Sequence, residues 1–398
     1  MEADVKNVLG TVIIRFGGEI WIKKTWTRKL YERRLVKNIK NVLKHYDVPY
    51  DKIVRRHSRL FLRTDSAMQA SLQLARIFGI SSVSPSLETS SKLEKIIDRS
   101  VVLAGHVLKI GNSFAVKCRR VGKHSYSSAD VCKVIGQRIL DEFGEKMNLR
   151  VDLNNPDVGL GVEVRNDEAF VYSDTFDGVG GMPLGTQPRV VGLLSGGTDS
   201  AVACWMIMKR GCPVAPVYFD NTPFTDETTT GRALNVAGVL LDWAVGFPRN
   251  VYVVQHGENL KRIIENCSRK LTCLFCKRMM YRIAERVAEM KGAEGIVTGE
   301  AIGEQASQTI TNLKVLSNAV KKYPIHRPLL GFDKSETEAI ARRIGTYEIS
   351  SRKAKGCKAV PSKPATKAKL EEVEESEENL NIKEMIERSI ESLKVVKV

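Results

Sequence analysis

The chain has 398 residues, 43% of them hydrophobic and 27% charged, a length that predicts two or three domains and a composition that excludes disorder over most of it. It contains no run of eighteen apolar residues, which excludes a membrane-spanning helix, and Met1–Phe16 lacks the pattern of a signal peptide, so a cytoplasmic protein is expected. A net charge of +16 points to a polyanionic partner, and eight cysteines in such a chain suit metal binding or catalysis better than a disulfide framework.

In chain order, Thr11–Phe16 reads as a strand and Thr25–Tyr46 as a helix whose face carries Arg28, Lys29, Arg33, Arg34, Lys37, Lys40 and Lys44. Residues 1–63 hold 16 basic against 6 acidic side chains, an excess of one sign that a merely solvated face does not need. Arg28, Arg33, Arg34 and Lys37 are therefore candidates for docking the polyanion. Lys52–Arg63 reads as one strand, Ala67–Phe78 as an amphipathic helix and Ile80–Ser84 as a strand. That β-α-β-α-β order suits a ferredoxin-like α+β module over 1–80. A helix over Ser90–Leu103, a strand over Phe114–Arg119, a helix over Ser127–Phe143 capped by Ser127 or Ser128, and strands at Leu149–Leu153, Gly161–Arg165 and Ala169–Ser173 make a second α+β module over 81–177.

The pattern changes after a Gly-rich stretch, Asp177–Thr186. Strand-like Val190–Leu194, Val214–Phe219, Val251–Gln255 and Gly295–Thr298 alternate with helical Ala201–Lys209, Thr228–Ala244 and Cys276–Lys291, the signature of an α/β domain with a parallel sheet and crossover helices, placed over 178–370. A Ser335-x-x-Glu338 capping box is expected to open a further helix. Arg352–Lys369 is loop-like, with seven basic residues and no acid. Residues 371–398 form an acidic tail, nine acidic side chains to four basic, expected to be helical or mobile.

Ser195-Gly196-Gly197-Thr198-Asp199-Ser200 lies between an apolar strand and an apolar helix. Ligands of open α/β sheets bind at the carboxyl ends of the strands, two glycines let backbone approach an anion, and the hydroxyls of Ser195, Thr198 and Ser200 join the helix N-terminus as donors. The loop lacks the Lys-Ser/Thr pair of a Walker A motif, so ordinary γ-phosphate transfer is not favoured. Asp199 is expected to hold Mg2+ on a nucleotide, shared with Asp220. The alternative is a plain Gly-Gly turn with a capping Asp or Ser.

This hexapeptide resembles the PP-loop of ATP pyrophosphatases. Taken with Asp177–Thr186, the Thr298–Thr309 stretch (TGEAIGEQASQT) and Arg327-Pro328-Leu329, the chain is similar to the tRNA 4-thiouridine synthetase family. The resemblance implies a ferredoxin-like domain, a THUMP domain and a PP-loop domain in that order, ATP and Mg2+ as cofactors, tRNA as partner, and the uridine at position 8 as target. It implies adenylation of the uracil oxygen with loss of pyrophosphate, then sulfur attack with release of AMP. Both steps gather charge on phosphate oxygens, so Lys277, Arg278 and Arg327 are candidates for stabilising it, with ordinary surface charge as the alternative. Gly299, Glu300 and the Gln305/Gln308 pair follow a strand, and either hold nucleotide or the uracil edge or stabilise their loop.

Cys273-x-x-Cys276 at a helix start suits metal or redox work, and Cys357 lies in the basic strip. A zinc tetrahedron would need Cys267 or His256 in addition. Long relatives carry a rhodanese-like C-terminal domain, for which the residues up to Val398 are expected to be too few, while the shorter members bind an iron–sulfur cluster through three cysteines. The resemblance thus implies a [4Fe-4S] cluster on Cys273, Cys276 and Cys357, whose open iron presents hydrosulfide, with zinc as the alternative metal. A persulfide on Cys357, resolved by Cys273 or Cys276, is the competing route. Sulfide or a persulfide carrier is the expected sulfur donor, and the family suggests a homodimer. Cys118, Cys132, Cys204 and Cys212 are expected in the core. The reading is an ATP-dependent tRNA thiolase in which Asp199, Lys277 and Cys357 carry the chemistry. The alternatives are an RNA-binding protein whose loop senses nucleotide without chemistry, and a PP-loop enzyme acting on another base or in thiamine biosynthesis.

Overall fold

The computed structural model describes residues 9–56, 59–352 and 356–398, which form two compact units divided between Pro183 and Leu184. The first is built on a nine-stranded sheet. Strands β1 (Thr11–Phe16), β2 (Lys52–Arg56), β3 (Arg59–Arg63) and β4 (Ile80–Ser90), with helices α1 (Thr25–His45) and α2 (Ala67–Leu74), make up its first half. Strand order β2-β3-β1-β4 and chain order β-α-β-β-α-β are those of a ferredoxin-like module. The single strand expected over Lys52–Arg63 is instead two antiparallel strands, Lys52 opposite Arg63, on either side of residues 57 and 58, which lie outside the described residues. Folding back is what buries Leu60, Phe61 and Leu62. Continuous alternation hid the break, because both strands carry the same period of two.

The second half of this unit contains α3 (Leu93–Val107), β5 (Ser113–Val121), α4 (Ser128–Ile139), β6 (Arg150–Val151), β7 (Val158–Arg165), β8 (Glu168–Tyr172) and β9 (Phe176–Asp177). Ser127 caps α4 through a reciprocal box with Asp130. The boundary expected after residue 80 falls at the start of a shared strand: β4 pairs with β1 as far as Ser86 and with β8 from Leu87 onward. One continuous ladder therefore joins the two modules.

The second unit carries a sheet of order β14-β13-β10-β11-β12-β15, formed by β10 (Val190–Leu193), β11 (Val214–Asp220), β12 (Asn250–Gln255), β13 (Ile296–Val297), β14 (Ile325–His326) and β15 (Lys394–Lys397). All pairings are parallel except β12 with β15. Both faces are covered, by α5 (Thr198–Lys209), α6 (Glu227–Leu241), α7 (Gly257–Asn266), α8 (Thr272–Lys291), α9 (Ile310–Ser317), α10 (Lys334–Ile344), α11 (Leu370–Glu377) and α12 (Ile382–Glu391), which is why its strands read as apolar runs. After β10 the chain crosses to β11 on one side, and it later returns to β13 on the other, so the topological switch lies beside β10.

The acidic segment is part of this unit. Its last strand is the sheet edge, Val251 opposite Val396, and Val373, Leu380 and Met385 are buried in the core. Glu377 accepts both guanidinium forks of Arg278 and Arg282, at 2.7–2.8 Å. Arg278, a sequence candidate for phosphate stabilisation, is 1% exposed and donates also to the Val315 carbonyl, so it is a structural cation and not a phosphate ligand. The capping box of α10 is Asp333 with Glu336 and not the Ser335–Glu338 pair. Ser335 lies one residue inside the first turn and gives its hydroxyl to Asp333 at 2.7 Å.

Candidate active site

At the carboxyl end of β10, residues Ser195–Gly197 turn into the N-terminus of α5. Ser200 ties the turn together: its hydroxyl accepts from the Ser195 amide and meets the Ser195 hydroxyl, both at 3.0 Å, while the Gly197 amide donates to Ser195 Oγ at 3.1 Å. The Thr198 hydroxyl is paired with Ser350 at 3.1 Å. Gly299, just after β13, packs directly on this turn, and a Cβ there would stand 2.5 Å from the Ser200 nitrogen. Only glycine permits that approach.

The turn forms one wall of a cavity of about 320 Å³, completed by Tyr218, Phe219, Asn221, Thr225, Arg232 and Met280 among others. Three of its buried polar atoms have no protein partner: Asn221 Oδ1, Thr225 Oγ1 and Arg232 Nε. Buried polar atoms are normally satisfied, so unpaired ones converging on one cavity next to a glycine turn mark a polar ligand's place. A larger cleft, about 610 Å³ around Arg282, Glu285 and Glu374, contains none of the loop, Glu300 or cysteine residues. Arg232, Asn221 and Thr225 were missed in the sequence because each is a single polar residue outside any motif.

Asp199 and Asp220, the pair expected to share a cation, each have protein partners. Asp199 Oδ1 accepts from Lys334 Nζ at 2.7 Å, with Glu304 3.4 Å away on the same ammonium. Burial works against that charge, but the bond to Asp199 and the two carboxylates outweigh it and raise the Lys334 pKa. Asp220, at the end of β11, accepts from the Thr222 amide and hydroxyl at 3.0 and 2.7 Å. The cation next to the loop aspartate is thus Lys334, a residue the sequence reading did not single out.

Glu300 is 4% exposed and anchors a network. It accepts from Tyr281 Oη at 2.5 Å, Arg327 Nε at 2.8 Å, Thr298 Oγ1 at 3.2 Å and Lys277 Nζ at 3.3 Å. Burial raises its pKa, and the charges of Lys277 and Arg327 with the Tyr281 bond more than compensate, leaving it below the usual carboxylate value. Both of its oxygens accept hydrogen bonds from these donors, and two of the donors are cations. The buried Arg327 NH2 and Gln308 Oε1 remain without protein partners. Glu300 therefore brings Lys277 and Arg327 together.

The cysteines gather at the start of α8. Cys276 is buried and packs with Leu260, Ala359 and Cys357, and with Phe224 and Met280. Burial raises the pKa values of the Cys273 and Cys276 thiols, and the neighbouring thiols, Cys357 included, raise them further. Among the described residues no group of three His, Cys, Asp or Glu stands close enough to hold a metal. Three soft thiols in one electrostatic neighbourhood nevertheless fit an iron–sulfur cluster in donor type and number. Cys267 points elsewhere, to the Ser376 carbonyl at 3.6 Å, which removes it from a zinc tetrahedron. His256 Nε2 stands 3.5 Å from Cys276 Sγ, and burial pushes its pKa down to about 3. Cys204 is buried, with its thiol pushed up to about 12; Cys118, Cys132 and Cys212 are only half-buried. Lys353 and Lys355 of the basic strip lie outside the described residues.

In α1, Arg33 and Lys37 are exposed and Arg34 is half-exposed, whereas the Arg28 guanidinium lies over the Trp21 ring at 5.2 Å. Glu32 is buried and paired with Arg55 at 2.9 Å, so the acid of this helix is withdrawn from its basic face. Among the described residues no helix is long and apolar enough to cross a membrane.

Family models match in the order the architecture suggests: a ThiI ferredoxin-like domain over residues 11–84, a THUMP domain over 92–174 and a thiamine biosynthesis protein (ThiI) model over 185–382. A probable tRNA sulfurtransferase of Methanosarcina acetivorans is 42% identical over 97% of this chain and 93% of its own. One from Sulfurisphaera tokodaii is 38% identical over 97% and 100%. Among solved structures, a 4-thiouridine synthetase in complex with RNA and bound ATP aligns with a TM-score of 0.86 at 32% identity, covering 98% of this chain and 99% of that one. Loop, cation network and full-length likeness agree: the chain belongs to the tRNA sulfurtransferase (4-thiouridine synthetase) family.

Proposed function

We propose that this protein converts the uridine at position 8 of tRNA to 4-thiouridine, using ATP to activate the base. The observation that carries the reading is a shared wall. Met280 lines the cavity with the three unpaired polar atoms and also packs against the Cys276–Cys357 cluster, so a nucleotide in that cavity and a sulfur donor on the cysteines would be neighbours.

In the first step O4 of uracil attacks the α-phosphorus of ATP and pyrophosphate leaves. Ser195–Gly197 and the α5 N-terminus receive the departing phosphates, Lys334 supplies positive charge fixed by Asp199, and Arg232 faces the nucleotide. In the second step sulfur adds at C4 of uracil and AMP leaves, carrying the former O4. Lys277 and Arg327, held by Glu300, balance the charge on the departing AMP. Preset cations of this kind need no reorganisation during the reaction. Magnesium enters on the nucleotide, and no step here is assigned to an ion held by Asp199 and Asp220.

Cys273, Cys276 and Cys357 would hold a [4Fe-4S] cluster, which when bound supplies an iron able to carry hydrosulfide. The likeness to an RNA complex and the exposed basic face of α1 support tRNA docking through the N-terminal unit.

Product analysis tests the adenylation step. ATP incubated with the protein, unmodified tRNA and sulfide under nitrogen should yield AMP and pyrophosphate, dependent on tRNA; ADP and phosphate, or RNA binding with no nucleotide consumed, would contradict it. Anaerobic purification followed by metal analysis tests the cluster, since stoichiometric zinc without iron would exclude it and metal-free active protein would favour the Cys357 persulfide.

A further inference from the structure

Behind the cysteines lies a buried polar chain that the reaction scheme leaves unused. His256, Asn259 and Ser389 are all 5% exposed or less. The Ser389 hydroxyl has one hydrogen, and it is donated to the Met385 carbonyl at 2.7 Å. At 2.8 Å from Asn259 Nδ2, Ser389 Oγ must then accept, which fixes the Asn259 amide with its NH2 towards it. The second hydrogen of that NH2 faces His256 Nδ1 at 3.3 Å, so Nδ1 carries a lone pair and the ring proton is on Nε2. Nε2 stands 3.5 Å from Cys276 Sγ, and Phe219 meets the ring edge-on at 5.4 Å.

We propose that His256 is a positioning residue of the sulfur site: locked as its Nε2–H tautomer by Asn259 and Ser389, it donates a hydrogen bond to the sulfur of Cys276 and orients that sulfur for cluster binding or sulfur transfer. The inference rests on the reading that Cys276 belongs to the sulfur site. It also removes His256 from the candidate metal ligands, because one ring nitrogen accepts from Asn259 and the other bears a proton. Ser389 belongs to α12, so the acidic C-terminal segment reaches the sulfur site through two side chains. Hydrogen bonds to metal-bound or reactive sulfur tune its donor strength, and loss of such an outer partner typically costs 10- to 100-fold.

Two measurements test it. In protein labelled with 15N-histidine, which contains six histidines, the resonances lost in His256→Gln identify the ring. They should report the Nε2–H tautomer, its Nε2 signal should move in Cys276→Ser, and Asn259→Leu should release a mixture of tautomers. An Nδ1–H ring, or a signal indifferent to Cys276→Ser, overturns the proposal. In parallel, single-turnover thiolation should fall about 10- to 100-fold in His256→Leu and recover in part in His256→Gln, whose amide N–H reaches the same place. Asn259→Leu and Ser389→Ala, which leave the ring in place, should each lower it as well, so the test survives a His256→Leu protein that fails to fold. If Cys276→Ser thiolates normally, the sulfur-site reading has failed. If Cys276→Ser is inactive while His256→Leu and Asn259→Leu match the parent, only the present inference has.

Discussion

Lys334 shows how a single residue decides the reading of the phosphate loop. An aspartate inside an anion site repels phosphate, and the structure answers this with an ammonium on Asp199 Oδ1. Lys334→Ala should reduce pyrophosphate release by roughly 10²- to 10³-fold, the scale of losing one preset transition-state donor, and leave tRNA affinity unchanged in a filter-binding assay. Equal loss of binding would mean that the lysine contacts RNA. Asp199→Ala should likewise keep tRNA affinity and lose adenylation. Glycine turn, cysteine pair, Lys277 and Arg327 were all legible in the sequence because spacing or resemblance exposed them. Lys334 was not, since the helix start was read two residues late: the Ser335–Glu338 spacing competes with Asp333–Glu336, and geometry favours the aspartate. The partners of Glu300 were not legible, because nothing in its spacing tells that Tyr281, Lys277 and Arg327 would all turn towards it.

Elements were easiest to read where a period was unbroken, and hardest where an element depends on distant partners. The acidic segment from Leu370 illustrates the second case. Its charge suggested solvent, yet Glu377 is drawn inside by Arg278 and Arg282, and β15 has a place only because β12 offers an edge. Breaking a buried pair costs about 3–5 kcal/mol, so Glu377→Gln should destabilise the second unit by about that amount in chemical denaturation. Burial raises the Glu377 pKa, but hydrogen bonds and charge from Arg282 and Arg278 bring it below the ordinary value. Its contribution is therefore present above the unfolded carboxylate's pKa and lost as pH falls through the lower folded value, so acid should erase the difference between parent and Glu377→Gln. Helix α1 is the opposite case, an exposed basic face readable from charge alone. Exchanging Arg33 and Arg34 for Glu should weaken tRNA binding and flatten its salt dependence, because fewer counterions are released. Unchanged affinity at physiological salt would show that this face does not dock RNA.

Over the whole molecule both units are basic: residues 1–183 hold 30 Lys and Arg against 21 Asp and Glu, and residues 184–398 hold 32 against 25. Residues 1–63 carry an excess of ten basic side chains and the strip Arg352–Lys369 carries seven with no acid, while the glycine turn, the Glu300 network, Cys273, Cys276 and Cys357 all lie beyond Leu184. Basic segments in both units suit phosphate contacts that position a large RNA while one crevice acts on a single base. The domain order was legible because each module keeps its own grammar, and the joining of the first two through β4 was not, because a shared strand leaves no punctuation. Thiolation of tRNA is the central claim, and the most direct measurement is anaerobic reconstitution with ATP, magnesium, sulfide and unmodified tRNA, followed by the near-ultraviolet absorbance of thiouridine. The account predicts absorbance that requires ATP and is absent from tRNA with cytidine in place of uridine at position 8. Absorbance formed without ATP, or undiminished in that altered tRNA, would contradict it.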